Sequence, residues 1–177
     1  GGTVLGQFPL PPDPNALSYS NSTEQAHSDA ASLKLIRGAG TATPQAYVAW
    51  VRGLQAGDTV TGSFWVYDTT PSGNPSGRIW GHYNDSPTDP LGFNGSASGN
   101  STYSGTYAWT QLSYTWTIAS PHTGLIIECR VYGLEGQAVW VDDVEVSAPD
   151  TATVTFAPEP TSLALLGLGL AGLIRRR

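Results

Sequence analysis

Several short segments of the sequence alternate between apolar and polar residues, and this period of two limits the fold more than any other feature. In residues 59–68, Val60, Phe64 and Val66 fall on one side of an extended chain and the residues between them on the other. The same alternation occurs in residues 31–37, 46–51, 111–119, 124–132 and 138–146. No segment before residue 160 shows the 3.6-residue period of an amphipathic helix. The pattern predicts an all-β chain of short paired strands.

Turn-forming residues separate the alternating segments. Gly57 and Asp58 precede residues 59–68, and Pro121 precedes a later segment. Gly (21) and Pro (13) are frequent, while charged residues make up only 12% of the chain. This spacing predicts an antiparallel β-sandwich of the jelly-roll type. The predicted divisions are a partly ordered leader (1–23), the jelly-roll domain (24–147), a linker (148–156) and a tail (157–177).

Residues 69–108 interrupt the alternation and are rich in Gly, Ser, Asn, Pro and aromatic residues. A structureless segment of this length is unusual inside a compact domain, so we expect a functional loop or an added hairpin, with a strand at residues 78–83. Trp80 and Tyr83 are the candidate platform for stacking against sugar rings. Arg78 and Asn84 are the candidate hydrogen-bonding partners of sugar hydroxyl groups. The alternative is that these aromatic side chains pack beneath the loops.

Two other residues are expected in the core. Trp116 alternates with Tyr114 and Ile118, which places all three on one side of a strand. The single Cys129 alternates with Ile127, and a thiol in such a segment is most often a small buried side chain.

Motifs of catalysis are absent from the sequence, which contains neither G-x-S-x-G nor H-E-x-x-H. Glycoside hydrolysis needs two facing carboxylates, but Glu128 and Glu145, the only glutamates in predicted strands, are both expected to face solvent. His27, His82 and His122 fall in separate loops without metal-ligand spacing. We therefore expect a protein that is not an enzyme. A structural module without a ligand is the first alternative, and a jelly-roll glycan hydrolase is the least favoured.

Charge is distributed unevenly along the chain. Residues 1–157 carry five Lys or Arg and thirteen Asp or Glu, a net charge of −8. Nucleic-acid phosphates require a basic surface, so this composition excludes nucleic acid as a partner.

The last residues combine, in order, a Pro-Glu-Pro triplet, an apolar run and an arginine cluster. These are Pro158, Glu159, Pro160, residues 163–174, Arg175, Arg176 and Arg177. Cationic residues beside an apolar segment stay cytoplasmic, which places the acidic domain outside. As a helix, the 13 residues from 162 to 174 would be roughly 20 Å long, shorter than a bilayer core of about 30 Å. Such a short span indicates a temporary anchor; the alternative is a buried helix packed on the domain.

This tail resembles the PEP-CTERM sorting signal. The resemblance implies an exported protein of a Gram-negative, exopolysaccharide-producing bacterium, held for a time in the inner membrane by a short transmembrane helix. It also implies cleavage near residues 158–160 by an exosortase, after which the protein reaches the cell surface or extracellular matrix. Because the sequence starts at Gly1 rather than Met, we expect an export signal to precede it.

The domain is similar to the galactose-binding-like jelly roll, the fold of many carbohydrate-binding modules. The similarity spans residues 20–147 and rests on SLKLIR at 32–37, LQAGDTVTGSFWVY at 54–67 and WVDDVEV at 140–146. It implies a carbohydrate-binding domain, with exopolysaccharide as a candidate partner, and a structural calcium near the final strand. Asp142 is the candidate ligand, because carboxylate oxygens suit Ca²⁺. The alternative is that Asp142 accepts backbone hydrogen bonds; no other cofactor is expected.

Overall fold

A computed structural model describes residues 3–9, 15–28, 30–69 and 77–157, and these residues form eleven strands and no helix. The strands are β1 (Gly6–Phe8), β2 (Leu17–Ser22), β3 (Ser32–Arg37), β4 (Gln45–Arg52), β5 (Thr59–Asp68), β6 (Gly77–Tyr83), β7 (Ser96–Gly99), β8 (Trp109–Thr117), β9 (Gly124–Val131), β10 (Ala138–Ser147) and β11 (Thr153–Phe156). The prediction of an all-β chain is confirmed for the described residues.

The strands form two antiparallel sheets. The first sheet has the order β1-β4-β9-β6-β7, and β11 pairs with the part of β4 that β1 leaves open. The second sheet has the order β2-β3-β10-β5-β8. Strands adjacent in the chain often lie in different sheets, so the two sheets cover each other and enclose one apolar layer.

That layer contains the residues that the alternation places inward. Val60, Phe64 and Val66 of β5 are fully buried, and Cys129 lies among them as a buried free thiol. Burial, followed by the charges of Asp68 and Glu128, raises the pKa of the Cys129 thiol, so it stays protonated. The prediction that Cys129 is a core residue is confirmed.

Trp116 is the large side chain that joins the two sheets. It is 2% exposed, and its Nε1 donates a hydrogen bond to the carbonyl of Ser98 at 3.0 Å. A Cβ on Gly62 would lie 3.2 Å from the indole, and one on Gly81 would lie 3.0 Å from it. Glycine at these two positions, one in each sheet, makes room for the ring. Trp116 is therefore in the core, as predicted.

The sandwich extends beyond the predicted domain limits of 24 and 147. β1 and β2 lie in the predicted leader, and β11 lies in the predicted linker. β2 is an edge strand with four of its six side chains exposed, so its sequence carries no alternation. β11 continues the pairing to the end of the described chain, where the amide of Ala157 donates to the carbonyl of Val48 at 2.9 Å.

The insertion at residues 69–108 contributes β6 and β7 to the first sheet, and the predicted strand at 78–83 is confirmed. The C-terminal helix of the prediction, at 163–174, lies outside the described residues. In the part of the chain that is described, no helix has the length and apolar character required to cross a bilayer.

Candidate binding site

The outer face of the first sheet carries a row of polar and aromatic side chains on its two central strands. On β6, Ile79 points into the core, whereas Arg78, Trp80 and His82 lie on the opposite side. On β9, Ile127 and Cys129 point inward, and Glu128 and Arg130 outward. In the register of the two strands, Trp80 lies opposite Glu128 and Arg78 opposite Arg130. We call Arg78, Trp80, His82, Glu128 and Arg130 the β6–β9 face.

Trp80 is the half-buried centre of this face. The guanidinium carbons of Arg78 and Arg130 lie 4.9 Å and 4.3 Å from its ring centroid. Its Nε1 donates to the hydroxyl oxygen of Ser96 at 3.0 Å. Cation–π attraction and this hydrogen bond hold the indole in one orientation.

Arg78 lies among three aromatic rings. Besides Trp80, its guanidinium carbon is 5.0 Å from the ring centroid of Tyr103 and 5.7 Å from that of Tyr132. Its Nε donates to the carbonyl of Asn100 at 3.0 Å. In the described part of the chain, neither of its terminal nitrogens has a hydrogen-bond partner. The head group is thus fixed in place while two of its donor nitrogens remain available.

Glu128 is the functional candidate that sequence reasoning missed. It was expected to face solvent, but it is fully buried, with one carboxylate oxygen 2.5 Å from Nδ1 of the equally buried His82. The other oxygen accepts a hydrogen bond from Nε of Arg130 at 3.1 Å. With its amide nitrogen facing Glu128, Gln45 donates to that oxygen at 2.8 Å.

Neighbouring side chains cover this end of the face. The rings of Tyr47 and Phe93 lie 4.9 Å and 5.4 Å from that of His82. Burial, and then the charge of Glu128, raise the pKa of the Tyr47 hydroxyl. The alternation placed Glu128 on the outer side of its strand correctly, but only the folded chain brings Tyr47 over it. His82 lies in β6, not in a loop as expected.

Tyr83 and Asn84 do not join Trp80. Residues three apart in a strand face opposite sides, so Tyr83 packs against the core, with its ring stacked on His122 at 3.8 Å. Asn84 is fully buried; its Nδ2 donates to the carbonyl of Asp89 at 2.9 Å, and its Oδ1 accepts from the amide of Ser86 at 3.0 Å. Of the four predicted sugar-binding residues, the structure brings together only Arg78 and Trp80.

A second aromatic group lies on the outer face of the second sheet. Tyr67 of β5 packs between Trp109 and Trp140, at ring-centroid distances of 5.6 Å and 6.0 Å. Trp65 stacks on His27 at 4.0 Å. We call these five residues the β5 outer face. Its aromatic rings pack against one another.

The side chain of Asp142 is buried beside this face and is used by the backbone. One carboxylate oxygen accepts from the amide of His27 at 2.8 Å, and the other from the amide of Asp143 at 3.0 Å. The carboxylate of Asp143 accepts hydrogen bonds from the His27 ring and the Ser28 hydroxyl. Among the described residues there is no group of three His, Cys, Asp or Glu arranged to hold a metal. Both carboxylate oxygens of Asp142 accept backbone hydrogen bonds, and a structural calcium stays an untested prediction.

Hydrogen bonds set the acidity of Asp143. Burial alone would raise the pKa of its carboxyl group. The hydrogen bonds from Ser28 and His27 outweigh burial and hold that pKa below its usual value. Asp85 behaves in the same way, with His122 and the amide of Thr123 as its donors.

Comparison with known proteins identifies the tail first. Residues 157–177 match the family model described as the PEP-CTERM protein-sorting motif. The tail is a sorting motif. The predicted resemblance is thus confirmed, and the motif indicates an exported protein whose C-terminus acts as a membrane anchor or sorting tail. No curated protein sequence matches the chain.

Solved structures resemble the sandwich. The CBM22-1 xylan-binding domain of Xyn10C from Paenibacillus barcinonensis is 14% identical, with a TM-score of 0.56 over 84% of this chain and 88% of that domain. The C-terminal family 22 carbohydrate-binding module of Xyn10B from Clostridium thermocellum is 11% identical, with a TM-score of 0.54 over 85% of this chain and 93% of that module. The enzymatically active domain of tailspike protein 4 of bacteriophage CBA120 is 12% identical, with a TM-score of 0.52 over 81% of this chain and 19% of that one. At these identities the likeness shows the fold, a jelly-roll sandwich.

Proposed function

We propose that the sandwich is a non-catalytic carbohydrate-binding module and that the β6–β9 face holds the glycan. Sugar rings present C–H groups that pack on aromatic rings, and their hydroxyl groups accept hydrogen bonds from guanidinium nitrogens. The observation that carries the proposal is the arrangement around Trp80. Two arginines and the rings of Tyr103 and Tyr132 meet there on one sheet face. The likeness of the fold to a xylan-binding domain supports the same reading.

The first sheet lacks, in its described strands, the pair of carboxylates that hydrolysis would require, which favours binding without hydrolysis. Glu128 is the only acidic residue in the described strands of the first sheet, and both of its oxygens are engaged. A glycosidase uses two carboxylates about 5–10 Å apart on either side of the scissile bond. The rival, a hydrolase, draws on the likeness to the tailspike domain.

A retention assay with the full chain separates these possibilities. The protein is run through native gels that contain single polysaccharides, and each polysaccharide is then assayed for new reducing ends. We expect retardation by at least one polysaccharide and no new reducing ends. Retardation by none would favour a structural module, and release of reducing ends would favour the hydrolase.

For the tail, we propose a temporary anchor that is removed. The apolar run at 163–174 would cross the inner membrane as a short helix, with Arg175, Arg176 and Arg177 on the cytoplasmic side. An exosortase would cut near residues 158–160 and release the domain to the cell surface or matrix. The match to the sorting motif supports this proposal. Intact-mass analysis of protein released from the native host tests it, and a mass that retains the arginines would contradict cleavage.

A further inference from the structure

We infer that the β6–β9 face selects an acidic glycan, one whose sugar residues carry a carboxylate or a sulfate. Arg78 and Arg130 are its anion contacts. This inference rests on the proposed glycan-binding function and names the class of glycan.

The first observation is the position of the two arginines. Arg78 and Arg130 are direct partners on neighbouring antiparallel strands, where like charges destabilise a sheet. Residues 1–157 contain only five Lys or Arg and carry a net charge of −8. In so acidic a domain, two of five cations on adjacent positions of one face form a local excess of positive charge. An anion between them would relieve their repulsion.

The second observation is that the protein's own carboxylates compensate only one of the two arginine charges. Glu128 is fully buried and accepts a hydrogen bond from Nε of Arg130 at 3.1 Å. The terminal nitrogens of Arg130 have no partner among the described residues. Arg78 has no carboxylate partner in the same part of the chain; its Nε is bound to a carbonyl oxygen. The two arginines therefore keep one uncompensated positive charge and their terminal N–H donors for a ligand.

Two other arginines of the sandwich, Arg52 and Arg37, use their terminal nitrogens within the protein. Arg52 also lies over a tryptophan, with its guanidinium carbon 4.4 Å from the Trp50 ring centroid. Its terminal nitrogens, however, donate to the carbonyl of Pro87 at 3.2 Å and the hydroxyl oxygen of Thr155 at 3.0 Å. Arg37 donates to the carbonyl of Val131 at 3.1 Å. Arg52 and Arg37 stabilise loops and strands, whereas Arg78 and Arg130 are fixed on Trp80 with their terminal donors unused.

Such a pair matches the chemistry of an oxyanion. A guanidinium presents two parallel N–H groups that match the oxygens of a carboxylate or a sulfate. Rings that hold the side chain in place reduce the conformational entropy lost when it binds. An acidic domain repels acidic polysaccharide at long range, so retention of such a polymer requires a local cationic site.

Affinity electrophoresis of the full chain tests the inference with polysaccharides that differ in charge. The neutral and acidic probes are arabinoxylan and glucuronoxylan, hydroxyethylcellulose and carboxymethylcellulose, and dextran and dextran sulfate. We expect at least one acidic polymer to bind about tenfold more tightly than its neutral counterpart, as for hydrogen bonds to charged groups. The carboxylated and sulfated probes separate the two sources of the oxyanion. Equal retardation by neutral and acidic members overturns the inference and leaves the proposed function standing. Retardation by none contradicts the proposed function itself.

Matched variants assign the effect to the arginine pair. Arg78→Gln should reduce the preference for the acidic polymer to about twofold or less, since the loss of one charge-assisted contact accounts for most of a tenfold effect. Arg52→Gln, at the arginine that lies over Trp50 with its terminal nitrogens already bonded, should leave the preference intact. In the unmodified chain, raising NaCl from about 50 mM to about 500 mM should shrink the preference because salt screens the interaction. A preference that survives both high salt and Arg78→Gln would show that these arginines do not select the anion.

Discussion

The outer faces of the two sheets are both aromatic, yet they differ in how their polar groups are used. On the β5 outer face, the amide and ring nitrogen of His27 bond to Asp142 and Asp143, and Trp140 donates to the Ser22 hydroxyl at 3.3 Å. On the β6–β9 face, the terminal nitrogens of Arg78 and Arg130 have no partner among the described residues.

A row of aromatic rings therefore does not by itself indicate a binding site. Trp65 and Tyr67 lie against His27, Trp109 and Trp140, so their area already stabilises the fold. Trp80 instead lies with cations whose donors remain unused. Unused donors on a rigid support distinguish the β6–β9 face as the candidate site.

The largest effect should come from the residue between the two faces. Trp116→Ala removes the ring that both sheets enclose and should lower the free energy of unfolding by about 3–5 kcal/mol, as for other large buried aromatic residues. Urea denaturation followed by fluorescence measures this. A loss below about 1 kcal/mol would show that the sheets do not depend on this contact.

The two histidine–carboxylate pairs, His82–Glu128 and His27–Asp143, should differ in how much they contribute to the free energy of unfolding. Glu128→Ala leaves the buried His82 and Arg130 without their carboxylate and should cost about 3 kcal/mol. Asp143→Ala breaks a pair whose side chains are 28% and 29% exposed and should cost below about 1 kcal/mol. Both changes are measured by urea denaturation. Equal costs would mean that the two pairs are solvated alike and would remove this difference between the faces.

Replacing Trp80 or Trp65 with alanine tests which of the two faces binds glycan. Trp80→Ala should weaken glycan binding by at least about tenfold, since stacking contacts contribute roughly 0.5–1.5 kcal/mol beyond their buried area. It should also lower the unfolding free energy by about 1–2 kcal/mol, because it loses the contacts with Arg78 and Arg130 and the hydrogen bond to Ser96. Trp65→Ala should leave binding intact and lower the unfolding free energy by about 1–2 kcal/mol, because it loses its stack with His27. Affinity electrophoresis and thermal denaturation of the same samples provide both readouts. The reverse outcome would assign the site to the β5 outer face.

Acid should lower the free energy of unfolding by a smaller amount, through Asp143, which bonds to His27 of the β5 outer face. The pKa of Asp143 is held below its usual value in the folded chain, so its contribution is full above the unfolded pKa and is lost as the pH falls through the folded one. Urea midpoints should therefore fall below about pH 4, and Asp143→Asn should reduce that fall by less than about 1 kcal/mol. An unchanged acid slope in Asp143→Asn would show that this carboxylate does not contribute.

The sequence was sufficient where side chains alternate on a strand covered on one side. It predicted the buried side of β5, the core position of Trp116 and the strand at residues 78–83. It missed β2 and β11 because edge strands bury too few side chains to show a period. These strands are recognised only from their partners, which are distant in the chain.

The candidate site was predicted in part. The insertion and two of its residues, Arg78 and Trp80, were found from composition, but Arg130 comes from a strand with no aromatic signal. The three-residue spacing from Trp80 to Tyr83 already placed these rings on opposite sides of a strand. A lone glutamate in the apolar segment 124–132 was the available signal for Glu128, whose burial depends on Tyr47 from another strand.

The pairing of β11 with β4 limits the distance between the folded domain and the Pro-Glu-Pro triplet. The last paired amide is that of Ala157, and the Pro-Glu-Pro triplet ends three residues later, at Pro160. Even fully extended, three residues span at most about 10 Å. The triplet therefore ends within about 10 Å of the last paired residue, and an enzyme that acted there would have to approach along the β11 edge of the first sheet.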